Sequence, residues 1–410
     1  MRGAGHGAAG SSPTAPAADV ATPRDRVLTA LAHRQPDRIP VDFVAAPEVW
    51  DKLTAHFGID TVAPTEGTFF EPAREEVLRR FEVDCRLLSY DMFCAPPEDV
   101  LHGGSRVDWW GSRDRSTPNR MWRQVSPDGT SWDIWGAQRR TVRNKLGAYE
   151  EFVSFPLARA ERVSDLGSHP WPHPDWWDFQ SAPEVVRELD RHGPYHLRFR
   201  IGSVFEVAWQ LRGMQQFLMD LVTSPEIPRY IMSRLTEVHL ENTRRVMELL
   251  AGRLDMVYLY DDVGAQNGLM ISPGTWQSEL RPYYANLVAL AHSHGLPVMY
   301  HCDGAIRKLI PRLIDLGINV LNPIQPNVQG MEPEGLKREF GDALAFHGGV
   351  DIVELLPHGS VDEVAAAVRH CGDVLGREGG YILCSAHHLQ PDTPVENIEA
   401  LYDVALRYGS

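Results

Sequence analysis

Pro297-Val-Met-Tyr-His-Cys-Asp-Gly-Ala is an apolar run of strand length that stops on groups able to bind a metal or move a proton. Leu383-Cys-Ser-Ala-His-His-Leu-Gln-Pro-Asp-Thr-Pro repeats the design later in the chain. His301 and Asp303 stand two residues apart, so on a strand they project from one side. His387 follows the end of the second run. If both runs are strands of one parallel barrel, their C-terminal ends open on the same face, and three ligands converge there.

Working outward, the same kind of run recurs at 39–43, 84–90, 196–201, 256–261, 297–302, 319–324, 344–349 and 380–385. Helical patterns lie between them. Trp276, Leu280, Tyr283, Tyr284, Leu287, Leu290 and Ala291 follow a spacing of three and four, as do Ile306, Leu309, Ile310 and Leu313. Strands alternating with helices imply parallel pairing through right-handed crossovers. Eight such units predict an α/β fold, a (β/α)8 TIM-type barrel. Order is expected from residue 22 to 410, beginning with a Thr22 N-cap, Pro23 at the first helical position and Asp25. Residues 1–21 are Gly, Ala, Ser and Pro with almost no large apolar groups and read as a disordered tail.

One region breaks the alternation. Eight of the eleven tryptophans fall between residues 101 and 180, and Asp128-Gly129 reads as a hairpin turn. This predicts a small Trp-rich antiparallel insertion after the second strand, on the C-terminal side of the barrel. Its tryptophans serve either as a core of their own or as a lid or wall for a flat or cationic ligand.

A net charge of −15 argues against nucleic acid and against an anionic membrane as partners. No apolar run approaches the roughly 20 residues that span a bilayer. Five cysteines with no CxxC fit reduced thiols and a cytoplasmic protein. The partner left is a small molecule.

Reactive groups of barrel enzymes cluster where strands end. Every predicted strand end here carries one. Asp261, Asp262, Glu206 and His347 are the catalytic candidates, as acids or bases. Asp261 and Asp262 point to opposite faces of a strand, so only one of them can enter the mouth. Asp42, Asp91, Asn322 and Gln325 are the substrate-binding candidates. His301, Asp303 and His387 are the metal candidates, a set that suits catalytic zinc with one position open, or another divalent metal as a facial triad. Each residue alone has a structural alternative: Asp42 and Asp91 as helix caps, Asn322 as a turn former, His347 as a satisfied core histidine. Their co-location favours a site.

Several blocks together resemble the uroporphyrinogen decarboxylase superfamily: Arg26-Val-Leu-Thr-Ala-Leu with Pro36-Asp-Arg-Ile-Pro-Val, Tyr260-Asp-Asp-Val-Gly-Ala-Gln-Asn-Gly, His301-Cys-Asp-Gly, Leu321-Asn-Pro-Ile-Gln-Pro, Phe346-His-Gly-Gly-Val-Asp and Pro391-Asp-Thr-Pro-Val-Glu-Asn. The resemblance implies a (β/α)8 barrel and offers two chemistries. Porphyrinogen decarboxylases carry a Met-Arg-Gln-Ala-Gly-Arg run after the first strand. Here that place reads Asp42-Phe-Val-Ala-Ala-Pro-Glu-Val-Trp, without the arginines a polycarboxylate needs. The cobamide-dependent methyltransferase branch binds zinc through His-x-Cys on one strand and Cys on the last. His301 matches its histidine, while Asp303 and His387 stand where it has cysteines. The harder ligand set suits an oxygen or nitrogen better than a thiol. The resemblance therefore implies a metal-dependent methyltransferase, with Zn2+ or another divalent ion, acting on a small O- or N-methyl substrate. The chain has no Asp-x-His-x-x-Gly, so a cobamide would arrive on a separate corrinoid protein. The alternative is a decarboxylase or related lyase acting on a small carboxylate.

Overall fold

The computed structural model describes residues 21–60, 72–94, 96, 105–106, 123–126, 128–144 and 147–408. Residues 1–20 of the expected tail lie outside them, as do Trp109, Trp110 and Trp122. The first helix, Pro23–Leu31, starts as its sequence predicts. Thr22 Oγ1 accepts a hydrogen bond from the Asp25 backbone N–H at 3.1 Å, and Pro23 fills the first turn, where a missing N–H costs nothing.

The strands in chain order are β1 (Cys85–Ser89), β2 (Ser105–Arg106), β3 (Arg123–Val125), β4 (Thr130–Asp133), β5 (Gln138–Asn144), β6 (Gly147–Ser154), β7 (His196–Arg200), β8 (Met256–Tyr260), β9 (Gly264–Ala265), β10 (Gly268–Leu269), β11 (Val298–His301), β12 (Val320–Ile324), β13 (Ala345–Val350) and β14 (Tyr381–Ser385). Seven form one parallel sheet in the order β1-β7-β8-β11-β12-β13-β14. β12, β13 and β14 are buried along their whole length, as parallel strands covered on both faces are.

The eighth expected strand, 39–43, is reduced to a bridge that still spans the gap between β14 and β1. On one side the Asp42 N–H donates to Leu383 O and the Leu383 N–H donates to Pro40 O, both at 2.9 Å. On the other the Asp84 N–H donates to Val41 O at 3.0 Å. A longer ladder is barred because Pro40 has no N–H to give and the Val41 N–H is taken by the Asp84 carboxylate at 2.8 Å. Asp84 also accepts from Arg26 at 2.6 Å and Arg38 at 2.8 Å. The architecture is a TIM-type α/β fold closed by this clasp.

The insertion is a five-stranded antiparallel meander, β2 to β6, following β1. Gly129 turns its β3–β4 hairpin at φ +82°, as Asp128-Gly129 predicts. Trp135 and Trp177 are buried against each other and against His239 and Tyr90, and Phe152 meets Trp209 edge to face. These tryptophans build a core between the insertion and the helices Phe205–Arg212 and Glu226–Leu249. Among the described residues, none of the insertion lines the barrel cavity. Its tryptophans need somewhere to bury large flat surfaces, and those helices supply it. Among the described residues, too, no helix is long and apolar enough to cross a membrane.

Candidate functional site

A cavity of about 520 Å³ opens at the C-terminal ends of the strands. Asp42, Arg198, Tyr258, Asn322 and His347 line its depth, and Glu206, Asp262, His301 and His387 its mouth. The register explains the grouping. His301 stands level with Tyr260 on one neighbour and with Asn322 on the other, so side chains of adjacent strands enter the barrel at one height.

At the mouth three donor groups meet. His387 Nε2 lies 3.5 Å from the Asp303 carboxylate and His301 Nε2 lies 3.8 Å from it. One ligand atom from each of the three residues falls within 4.8 Å of the others. Ligands at about 2.0–2.2 Å in tetrahedral array sit roughly 3.4 Å apart, so small side-chain rotations suffice to hold a divalent ion. Asp303 Oδ1 is buried and has no hydrogen-bond partner among the described residues, an uncommon condition for a buried carboxylate oxygen. A cation fits that orphan atom. Asp303 reaches the site because Gly304 turns the chain at φ +87°, and a Cβ there would meet Ala265 O at 2.7 Å. The Asp303 N–H donates to Asp262 Oδ1 and the Gly304 N–H donates to Gln325 Oε1, each at 2.7 Å.

Carboxylates crowd the other side of the mouth. Glu206 Oε1 accepts from the Asp262 N–H at 2.9 Å. Burial first, then the charges of Asp262 and Asp261, push the Glu206 carboxyl well above the usual range. Burial also raises Asp262, against the pull of His301. Carboxyls that cannot all ionise share protons, and Glu206 holds one most firmly. Burial lowers His387, against the pull of Asp303, which keeps its imidazole neutral and able to ligate.

The structure sorts the sequence candidates. His301, Asp303, His387, Asp262 and Glu206 come together. Asp261 turns away: it is buried and accepts from the Val204, Phe205 and Glu206 N–H groups at 2.8, 3.0 and 2.7 Å, and from the Tyr284 hydroxyl and Ser203. It caps the helix that carries Glu206 and is no acid of the mouth. His347 is buried with both ring nitrogens engaged, by Asn322 at 2.6 Å and Asp42 at 2.7 Å, so it supports the site from below and does not exchange protons at the mouth. Asp91 pairs with Arg200 at 3.1 Å and Ser89 at 3.0 Å, outside the cavity lining. Gln325 holds the Asp303–Gly304 turn. Asp42 lines the cavity but is ion-paired to Arg198.

Sequence reading passed over Arg198 and Arg200. The signal was present: His196, Arg198 and Arg200 alternate along one strand, so the polar face of β7 points into the barrel. Both arginines are committed, Arg198 to Asp42 and Arg200 to Asp91, and Arg86 in the lower cavity pairs with Glu75 at 2.6 Å. Cys302 turns its sulfur to the Val263 N–H at 3.3 Å, away from the ligand cluster.

The uroporphyrinogen decarboxylase (URO-D) family profile matches residues 185–408. A curated uroporphyrinogen decarboxylase of Anaeromyxobacter sp. (strain Fw109-5) is 29% identical over 124 residues, 30% of this chain. The match spans 33% of that relative's length. Among solved structures, a methyltransferase from Methanosarcina mazei superposes with a TM-score of 0.63 at 16% identity, covering 95% of this chain and 99% of that one.

Proposed function

This chain belongs to the uroporphyrinogen decarboxylase family, and from that premise we propose that it is a metal-dependent methyltransferase. In this reading it moves a methyl group between a small O- or N-methyl substrate and a corrinoid held by a separate protein. The observation that carries the reading is the convergence of His301, Asp303 and His387 around an orphaned carboxylate oxygen.

His301 Nε2, His387 Nε2 and the Asp303 carboxylate would hold zinc or another divalent ion. When bound, that ion supplies Lewis acidity to the heteroatom that bears the methyl group. The chain's own groups do the rest. Asp262 anchors the Asp303 backbone and keeps the carboxylate aimed inward. Glu206, whose carboxyl burial and its acidic neighbours raise in the metal-free chain, would give its proton to the oxygen or nitrogen as the bond to the methyl carbon breaks and the methyl passes to the corrinoid. Of the four arginines that line the cavity, Arg86, Arg198 and Arg200 are ion-paired to the chain's own carboxylates, which weakens their hold on a polycarboxylate macrocycle.

A second reading, a lyase acting on a small carboxylate, draws on the same protonated Glu206, which could equally protonate a carbanion left by decarboxylation. Two assays separate the readings. Purified protein is expected to contain one divalent metal per chain, and His387→Ala to lose it. With metal present, the protein is expected to demethylate methylcobalamin in the presence of a suitable alcohol or amine. Equal metal content in wild type and variant would sink the metal reading. Turnover of uroporphyrinogen or of a simple carboxylate, with no cobalamin demethylation, would establish the lyase.

A further inference from the structure

Four polar side chains from three strands and the clasp form one chain of hydrogen bonds through the barrel interior, joined at its sides by Arg198 and by the Tyr258 hydroxyl, which donates to Asn322 Oδ1 at 3.5 Å. Asp42 Oδ2 meets His347 Nε2 at 2.7 Å, His347 Nδ1 meets Asn322 at 2.6 Å, and Asn322 Oδ1 meets His301 Nδ1 at 2.6 Å. Asp42, Asn322 and His347 are buried, at 2%, 7% and 2% exposure. Buried polar atoms of this kind are hydrogen-bonded with very few exceptions, so each donor is expected to face an acceptor.

The direction of the chain follows from its buried end. Burial would raise Asp42, but the Arg198 charge and the His347 hydrogen bond outweigh it and hold the carboxyl ionised. An ionised carboxylate only accepts. His347 Nε2 must then carry the proton. Arg198 Nη1 also approaches that nitrogen, at 3.3 Å. This is the longer contact, and a guanidinium is a donor with nothing to accept, so the Asp42 bond sets the proton's position. Burial keeps His347 neutral, so its Nδ1 is an acceptor. Asn322 must turn its amide N–H2 toward His347, which leaves its oxygen toward His301. His301 Nδ1 is then the donor, and its Nε2 keeps a free lone pair directed at Asp303 and His387.

We propose that Asp42, His347 and Asn322 are positioning residues that hold His301 in its Nδ1–H tautomer and so preset Nε2 as a metal ligand. None of the three touches the metal position, and the inference rests on the metal reading of the mouth. The arrangement is selective in a useful way. The opposite tautomer would put a proton on the nitrogen that faces Asp303, and a hydrogen bond would replace the ligand.

The test separates this inference from the metal reading. Full-length protein labelled with 15N-histidine, stripped of metal and held at pH 8.5, gives the His301 tautomer from its ring nitrogen shifts, assigned with His301→Gln. The expected result is a proton on Nδ1 only. A ring carrying its proton on Nε2 overturns the proposal. Zinc affinity is then read by chelator competition. Asn322→Leu and His347→Phe are expected to bind zinc 10- to 100-fold more weakly. Asn322→Asp, which keeps an acceptor opposite His301 Nδ1, is expected to restore most of the loss. Full zinc affinity in a folded Asn322→Leu protein would also overturn the relay. If wild type shows the Nδ1–H form yet binds no zinc, the tautomer assignment stands and the metal reading fails. Because the wild-type spectrum alone decides the tautomer, a variant that does not fold leaves the test intact.

Discussion

At the scale of single residues, the mouth depends on which carboxyl keeps a proton. Glu206 is faced by Asp261, Asp262 and Asp303, and burial raises it most. If it acts as the general acid, Glu206→Gln should lower turnover by roughly 10²- to 10⁴-fold. In wild type, turnover in the direction that demethylates the substrate should fall as pH rises through the raised pKa, while transfer from methylcobalamin to an alcohol or amine, where Glu206 takes the proton, should rise, and pH profiles of kcat in the two directions measure this. The same shift has a signature in stability. A carboxyl raised in the folded state binds its proton there more tightly than in the unfolded chain, so stability falls as pH climbs above about 4.3, the unfolded value. Metal-free Glu206→Gln should therefore melt higher than metal-free wild type at pH 8, with the gap narrowing toward pH 4. A gap independent of pH would mean that Glu206 is ionised in the fold. At this scale much was legible in the sequence. The two-residue spacing of His301 and Asp303 on a strand, and the position of His387 after another, mark the cluster without any structure. The partners of Arg198 and Arg200 were not legible, because ion pairs between strands far apart in sequence depend on register, which a single sequence does not carry.

At the scale of elements, the instructive pair is Asp261 and Asp262. Strand periodicity requires that one of the two leave the mouth, and it cannot say which. The structure decides by helix capping. The helix Phe205–Arg212 brings unsatisfied N–H groups to the end of β8, and Asp261 accepts from three backbone N–H groups at 2.7–3.0 Å. A carboxylate at a helix N-terminus is worth more there than in the cavity. The cap also sets Glu206, whose own N–H is one of the three donors. Asp261→Ala should cost about 2–4 kcal/mol in a urea titration, from several buried donors left unmet, and should weaken catalysis beyond what the loss of stability explains, since the Glu206 backbone is released. A cost below about 0.5 kcal/mol would show that the helix finds other partners. The insertion teaches the complementary lesson. Its antiparallel strands and the Asp128-Gly129 turn were readable from local sequence, whereas the burial site of its tryptophans was not. Aromatic density says that a large flat surface must be covered. Whether a ligand or a helix covers it depends on packing geometry.

At the scale of the whole molecule, closure of the barrel and construction of the site are one event. The alternation of strand and helix predicted eight units, and the weakest, 39–43, proves to be the one that joins the ends. It manages with few ladder bonds because Asp84 works on both levels. Its backbone N–H binds Val41 O while its carboxylate takes the Val41 N–H and neutralises Arg26 and Arg38. That carboxylate is fully buried. Removing it leaves two guanidinium groups near the interior with fewer partners, and loss of one member of a buried ionic cluster typically costs about 3–5 kcal/mol. Asp84→Ala should therefore lower the urea midpoint sharply while the transition stays cooperative, since the other seven strands remain paired. It should have a second effect that a purely structural clasp would not. Asp42, the buried end of the chain that leads through His347 and Asn322 to His301, is the residue after Val41. Loosening the clasp should let Asp42 withdraw from His347, so zinc affinity measured well below the melting temperature should fall together with stability. Asp255→Ala provides the control. Asp255 is likewise a buried carboxylate at a strand base, bonded to the Leu197 N–H at 2.8 Å and paired with Arg24 at 2.7 Å, and among the described residues it makes no hydrogen bond or ion pair with Asp42, His347 or Asn322. It should lower stability and leave zinc binding unchanged. Equal zinc affinities in the two variants would break the link between closure of the barrel and the metal site.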